Sequence, residues 1–182
     1  MTSYYVFCDA SVSPKDEIGV GAYLVVEEKK FEDFAHLNNI SLKEHVSQHT
    51  KYFKLKTKKS NVAEIMTFIH VLKRLIKYHS PFEKVSFYTD CQSLCGLLGV
   101  RRSKLFKNNF KNKRGEPLAH QDLYREVYSL CDQYQVEIKK VRGHQPNREN
   151  KTVVEKIFSY VDQLSRKKLR LLSQQSKDLA DK

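Results

Sequence analysis

Apolar residues recur along this chain with two different periods, and the switches between them mark out its elements. Tyr4-Tyr5-Val6-Phe7-Cys8-Asp9 is a short aromatic and β-branched run that predicts a first strand over residues 3–9. The run stops at one acid followed by the small Ala10 and Ser11, at the carboxyl end of a central strand, where open α/β sheets place their chemistry. Ser13-Pro14-Lys15-Asp16 supplies turn residues, and Ile18 to Glu27 predicts a second strand that closes a hairpin. Its entry through Gly19 and Gly21 marks either a close backbone approach or a bulge. Residues 28–45 show no dominant period and read as a loop excursion. Between His45 and Thr57, the alternation Tyr52-Phe53-Lys54-Leu55-Lys56 predicts a third strand, half exposed, whose lysines equally suit a protected sheet edge.

The period turns helical at Ser60, read as an N-cap, with Val62, Ile65, Ile69, Leu72 and Ile76 on one face; the helix runs to about Tyr78, and Pro81 ends the segment. Lys84 to Asp90 repeats the opening pattern, a strand finishing on an aspartate before a helix over Gln92 to Leu98. A crossover helix joins parallel strands of one sheet, so Asp9 and Asp90 are expected on neighbouring strands at the same edge. Beyond Gly115 and Pro117, Leu118, Leu123, Val127, Leu130 and Cys131 predict a helix to about Tyr134, and Val136 to Val141 alternates as a strand. A polar loop, Arg142-Gly143-His144-Gln145-Pro146, follows. Val154, Ile157, Phe158, Val161, Leu164 and Leu171 predict a last helix from Thr152, with Asp162 beside its apolar stripe and a polar, frayed tail from Ser173. Strands then alternate with helices, the pattern of an α/β fold, read as one domain over residues 1–182 without internal repeats.

Length supports that reading, since 182 residues suffice for one core and are short for two. Charge changes the picture more. Lys and Arg number 33 against 21 Asp and Glu, a net charge of +12, which calls for an anionic partner, nucleic acid first. No apolar run reaches spanning length and no segment joins a long apolar face to a basic one, so no membrane partner is expected. No secretory signal is recognised at the start of the sequence. The four cysteines lack Cys-x-x-Cys pairing and an attendant histidine cluster, which argues against zinc and for buried free thiols at Cys8 and Cys131. A reducing, cytoplasmic setting is the expectation. In residues 101–114, Arg101, Arg102, Lys104, Lys107, Lys111, Lys113 and Arg114 interleave with Phe106 and Phe110 and no acid intervenes. This is the composition of a nucleic-acid-facing element; the competing reading is a solvated helix docked by its phenylalanines, and the charge density favours the first.

Taken singly, Glu64 near a helix start is also a favourable helix-dipole partner, and Asp162 an ordinary surface acid. Taken together with their flanks, Asp9, Glu64, Asp90 and Asp162 resemble the ribonuclease H family, type I, over nearly the whole chain. Phe7-Cys8-Asp9-Ala10-Ser11 is similar to that family's first-strand motif, and Lys59-Ser60-Asn61-Val62-Ala63-Glu64 to its helix-start motif. Phe87-Tyr88-Thr89-Asp90-Cys91-Gln92 resembles the second-aspartate motif, Val141-Arg142-Gly143-His144 the loop with an auxiliary histidine, and Ser159-Tyr160-Val161-Asp162 the last helix. Gly115 to Tyr124 resembles the segment after the family's basic protrusion, which places that substrate handle on residues 101–114.

The resemblance implies a ribonuclease H-like fold, a five-stranded mixed sheet of three antiparallel then parallel strands flanked by helices. It implies an endoribonuclease that hydrolyses the RNA strand of RNA/DNA hybrids with two Mg2+ ions, Mn2+ being an alternative. Asp9, Glu64, Asp90 and Asp162 would hold the ions, His144 would complete the catalytic set, and Asn61, Gln92 and the seven cations of residues 101–114 would bind substrate. The hybrid is the partner, with a monomer and no obligate protein partner expected. One departure stands out. The family's usual interval from histidine to last aspartate is about half that between His144 and Asp162, and Asn147 to Glu155 read as added residues, with Glu149 or Glu155 as rival ligands. That interval motivates an alternative, a nucleic-acid-binding module weakened in catalysis; another is a nuclease of the same superfamily acting on DNA, against which the protrusion and the Asn61/Gln92 pair speak.

Overall fold

Five strands form one sheet in the order β3-β2-β1-β4-β5. In this computed structural model, residues 1–142 and 151–180 are described, with side chains through residue 176. Strands β1 (Tyr4–Ser13) and β2 (Ile18–Glu27) make an antiparallel hairpin, and β3 (Lys51–Lys56) pairs antiparallel with β2. On the other side β4 (Val85–Thr89) runs parallel to β1, and β5 (Val136–Lys140) parallel to β4. This is the expected mixed sheet.

The central strand is buried on both faces, and its period of two divides the core. Tyr4, Val6 and Cys8 pack in a cluster with Ile65, Phe68, Leu72 and Leu75 of α3 (Ser60–His79), while Phe7 belongs to a second cluster with Ile157, Phe158 and Val161 of α7 (Val153–Ala180). The first cluster extends through α4 (Gln92–Leu98), α5 (Arg101–Lys107) and α6 (Gln121–Gln133). Close packing of α3 on the sheet depends on Gly21, where a Cβ would stand 2.5 Å from the Phe53 ring and 2.6 Å from Thr67 Oγ1. The ladders run unbroken through Gly21 on both sides, so close approach, not a bulge, explains this glycine.

Several boundaries differ from the sequence expectation. β1 continues four residues past Asp9, because its ladder with β2 runs to Ser13↔Ile18 while its ladder with β4 stops at Phe7↔Tyr88. The expected loop excursion over residues 28–45 is instead a 3-10 turn (Glu28–Lys30), α1 (Phe31–Ala35) and α2 (Asn39–His49). Asn38 caps α2, its Oδ1 accepting from the N–H groups of Ile40 at 3.0 Å and Ser41 at 2.9 Å. The third strand therefore begins at Lys51, not near His45. Ser60 is the first helical residue rather than the cap, which is Lys59 without a side-chain bond. The tail from Ser173 is helical to Ala180, following Leu172, which is buried. All four cysteines are free thiols, Cys8 fully buried and Cys131 half-buried. No helix among the described residues is long and apolar enough to cross a membrane.

Candidate active site

The end of the β1–β4 ladder creates the site. Counting two residues on from the last paired positions, Phe7 and Tyr88, sets Asp9 level with Asp90 where the two backbones part. Glu64 comes from the second turn of α3, its Oε1 accepting the Ala10 N–H at 3.3 Å. One oxygen from each of Asp9, Glu64 and Asp90 lies within 4.8 Å of the other two. Asp9 and Glu64 are almost fully buried, and Asp90 is half-exposed. They line a cleft of about 400 Å³ together with Ser60, Asp162, Arg166 and Arg170.

The electrostatics are those of acids in need of counter-charge. Burial raises the Asp9 carboxyl from its ordinary 3.8 to about 7; the Ser165 hydroxyl and the Arg166 guanidinium oppose the rise, and the Asp162 and Asp90 carboxylates add to it. Burial also holds Glu64 well above the usual glutamate range, with Asp9 and Asp90 reinforcing it and the Ala10 N–H opposing. Glu64 Oε2 is buried with no hydrogen-bond partner. A buried carboxylate oxygen without a donor costs free energy unless a cation takes the place of one. Hard oxygen donors grouped this tightly suit Mg2+ or Mn2+, so Asp9, Glu64 and Asp90 fit a divalent ion.

Asp162 borders the same cleft but stands outside the 4.8 Å group, and the Arg166 guanidinium grips it at 2.7 Å from Oδ1 and 2.8 Å from Oδ2. Glu155, the rival ligand, is engaged elsewhere: its Oε2 accepts from the Thr152 N–H at 2.9 Å and its own N–H donates to Thr152 Oγ1 at 3.2 Å, a capping box at the start of α7. Glu149 and His144 lie outside the described residues.

Asn61 and Gln92 are exposed at the amino ends of α3 and α4, each next in sequence to a cleft residue or within two of one. The basic stretch forms α5 and the turns after it. Arg101, Lys104, Lys107, Lys111, Lys113 and Arg114 are exposed, and Phe110 is buried, as a docking phenylalanine should be. Phe106, half-exposed at 51%, lies against the Phe110 and Tyr128 rings. Arg102 differs from its neighbours, since its guanidinium meets Asp132 at 2.6 and 2.9 Å and lies over the Phe106 and Tyr128 rings.

Sequence reasoning missed three residues of the last helix. Ser165 is fully buried and donates its hydroxyl to Asp9 Oδ2, while Ser11 Oγ lies 2.7 Å from Ser165 Oγ. Arg166 and Arg170 border the cleft one and two turns beyond Asp162. The available signal was helical spacing, which sets positions 162, 166 and 170 on one face. A second cavity, about 470 Å³ between Tyr4, Tyr23, His49, Arg74 and His79, lies at the other end of the sheet and of α3. Among the described residues the cluster able to hold a metal ion is the one formed by Asp9, Glu64 and Asp90.

The sequence profile of the family described as RNase H matches residues 1–159. Over 92 residues the chain is 33% identical to a ribonuclease H of Symbiobacterium thermophilum, a match covering 50% of this chain and 60% of that protein, less than two thirds of its length. An N-terminal RNase H domain from Mycobacterium tuberculosis, solved as a fusion with maltose-binding protein, aligns with a TM-score of 0.57 at 12% identity, covering 97% of this chain and 99% of that one. A foamy viral protease-reverse transcriptase in complex with an RNA/DNA hybrid aligns with a TM-score of 0.59 at 13% identity, over 91% of this chain and 19% of that one. At such identities the structural likeness is one of fold.

Proposed function

This chain belongs to the ribonuclease H family, and from that membership we propose that it is a metal-dependent endoribonuclease cleaving the RNA strand of RNA/DNA hybrids. The observation that carries the proposal is the convergence of Asp9, Glu64 and Asp90 within 4.8 Å, with one buried Glu64 oxygen lacking a partner. Asp9, Glu64 and Asp90, joined by Asp162, would hold the divalent ions, with Mg2+ preferred and Mn2+ able to use the same ligands. Bound there, two such ions would supply charge neutralisation at a phosphodiester and activation of a water.

The remaining roles belong to the chain. Ser165 orients Asp9 by donating to Oδ2, and the Ala10 N–H orients Glu64 through Oε1. Asn61 and Gln92, exposed beside the cleft, would recognise the 2′-hydroxyl that separates RNA from DNA. Arg101, Lys104, Lys107, Lys111, Lys113 and Arg114 would hold the other strand through its phosphates without regard to sequence, and Arg102 would position that element through Asp132. The assay is cleavage of an RNA/DNA hybrid with Mg2+ or Mn2+, beside Asp9→Asn and Asp90→Asn. Metal-dependent cleavage by the wild type and its loss in both variants is the expected outcome. Retained activity in either variant would sink the assignment; turnover of duplex DNA in preference to the hybrid would move the substrate, and binding without turnover would favour the weakened binding module.

A further inference from the structure

We propose that Arg170, at the rim of the carboxylate cleft, binds a second backbone phosphate of the substrate, adjacent to the one that the carboxylate end receives. The inference rests on reading the chain as a nuclease and adds a subsite to it. Asp162, Arg166 and Arg170 follow one another at intervals of four along α7, so they share one face of the helix. That face forms a wall of the cleft, with Leu169 between the two arginines and the buried carboxylates of Asp9 and Glu64 beyond.

The two arginines are in different states. The Arg166 guanidinium is engaged with both carboxylate oxygens of Asp162. Arg170 is exposed, and among the described residues it makes no ion pair. The exposed Lys167 and Lys168 adjoin it, so residues 166–170 carry four cations and no acid. The cleft is thus acidic at its floor and basic at one rim. A single small anion would meet the rim but be repelled by the floor. A phosphodiester chain suits both, one phosphate standing over cations held at the floor and its neighbour meeting the rim. Eight residues of helix separate Asp162 from Arg170 by about 12 Å along the axis, a span that the long arginine side chain shortens by reaching back into the cleft. The planar guanidinium, with donors that match phosphate oxygens two at a time, is the side chain for that task. The protrusion of residues 101–114 lines a groove of its own, with Arg101, Lys104, Lys111 and Lys113, that shares no residue with the cleft.

The test separates binding from cleavage. Affinity for a fluorescent RNA/DNA hybrid is measured in EDTA, between about 50 and 200 mM salt, for Asp9→Asn and for Asp9→Asn combined with Arg170→Ala or Arg170→Lys. Removing one phosphate-binding cation is expected to reduce the slope of log K against log salt by about 0.9, with a several-fold weaker affinity at low salt in the alanine variant. The lysine variant is expected to keep the slope and lose part of the affinity. On the wild-type background Arg170→Ala should raise KM with kcat little changed, and leave the affinity of the protein for Mn2+ alone unchanged. An unaltered slope and affinity would overturn the subsite, as would a fall in kcat at constant KM. If the wild type fails to cleave hybrids, the proposed function fails, while the EDTA binding series still decides the role of Arg170. Thermal melts of each variant check that the exposed substitution leaves the fold intact.

Discussion

Replacing Asp9 with asparagine should stabilise the ion-free protein at neutral pH, although it removes a residue placed at the centre of the site. Asparagine has nearly the same shape, keeps an oxygen to accept from Ser165, and never ionises. The wild-type carboxyl is held at about 7 in the fold against an ordinary 3.8. Below pH 4 the group is protonated in folded and unfolded chains alike, and its titration costs nothing. As pH rises from 4 to 7 the unfolded chain releases the proton while the folded chain retains it, so wild-type stability falls, and above 7 the loss is complete. At about 1.4 kcal/mol for each tenfold difference in proton affinity, the gap corresponds to a ceiling of about 4 kcal/mol, and relaxation with water entry brings the expected gain to about 2–4 kcal/mol. For a chain of this size that is a rise in Tm of roughly 5–15 °C. Urea unfolding in EDTA between pH 4 and 8 measures it, with equal m-values as the check on two-state behaviour. Saturating Mg2+ should reverse the order, because an ion that binds only the folded state stabilises the protein that has the ligand. A variant no more stable than wild type at pH 8, or a difference independent of pH, would refute the claim that burial governs this carboxyl.

Divalent-ion binding should release protons, since Asp9 and Glu64 both carry raised proton affinities; titration calorimetry near pH 6.5 in two buffers of different ionisation heat should give different apparent enthalpies, and apparent affinity should climb from pH 6 to 8. Gly21→Ala should destabilise the fold by about 1–3 kcal/mol, because the new Cβ meets the Phe53 ring and Thr67 Oγ1; unchanged urea midpoints would show that α3 has room to shift. Neutralising Lys107, Lys111, Lys113 and Arg114 together should weaken hybrid binding and lower the salt slope by up to about 0.9 for each phosphate no longer neutralised, while leaving Mn2+ affinity alone.

Continuous burial makes an element plain in the sequence. β1 is apolar on both faces over Tyr4 to Cys8, and α3 buries ten residues with helical period, so both announce themselves. Helix α2 does not, because only Leu42 and Val46 reach the core and its other positions are polar apart from the exposed Ile40. It is set by a local bond, the Asn38 cap, and by two anchors one turn apart, too few to raise a period above the background. The tail of α7 is a related case. Ser173-Gln174-Gln175-Ser176 reads as polar, yet a helix already nucleated gains a hydrogen bond for each added residue, and Leu172 anchors the turn before it.

The site divides along the same line. Asp9, Glu64 and Asp90 stand at fixed offsets from element ends, and the strand order carries those offsets into one cluster. The contribution of α7 depends instead on which face of a long helix meets β1. Phe158, Val161, Ser165 and Leu169 follow the buried stripe, and Ser165, fully buried among them, is the small polar residue out of place. Its hydroxyl finds Asp9, and the same face then delivers Asp162 and Arg166 to the cleft and Arg170 to the rim. Arg166 supplies one positive charge, and Asp162 takes hold of it. The helix therefore brings an acid together with its own counter-charge to the cleft in which Asp9, Glu64 and Asp90 converge. Of the four acids that the sequence motifs single out, Asp9 and Glu64 are the two whose ionisation burial opposes, and a divalent ion bound there would supply the charge that favours it.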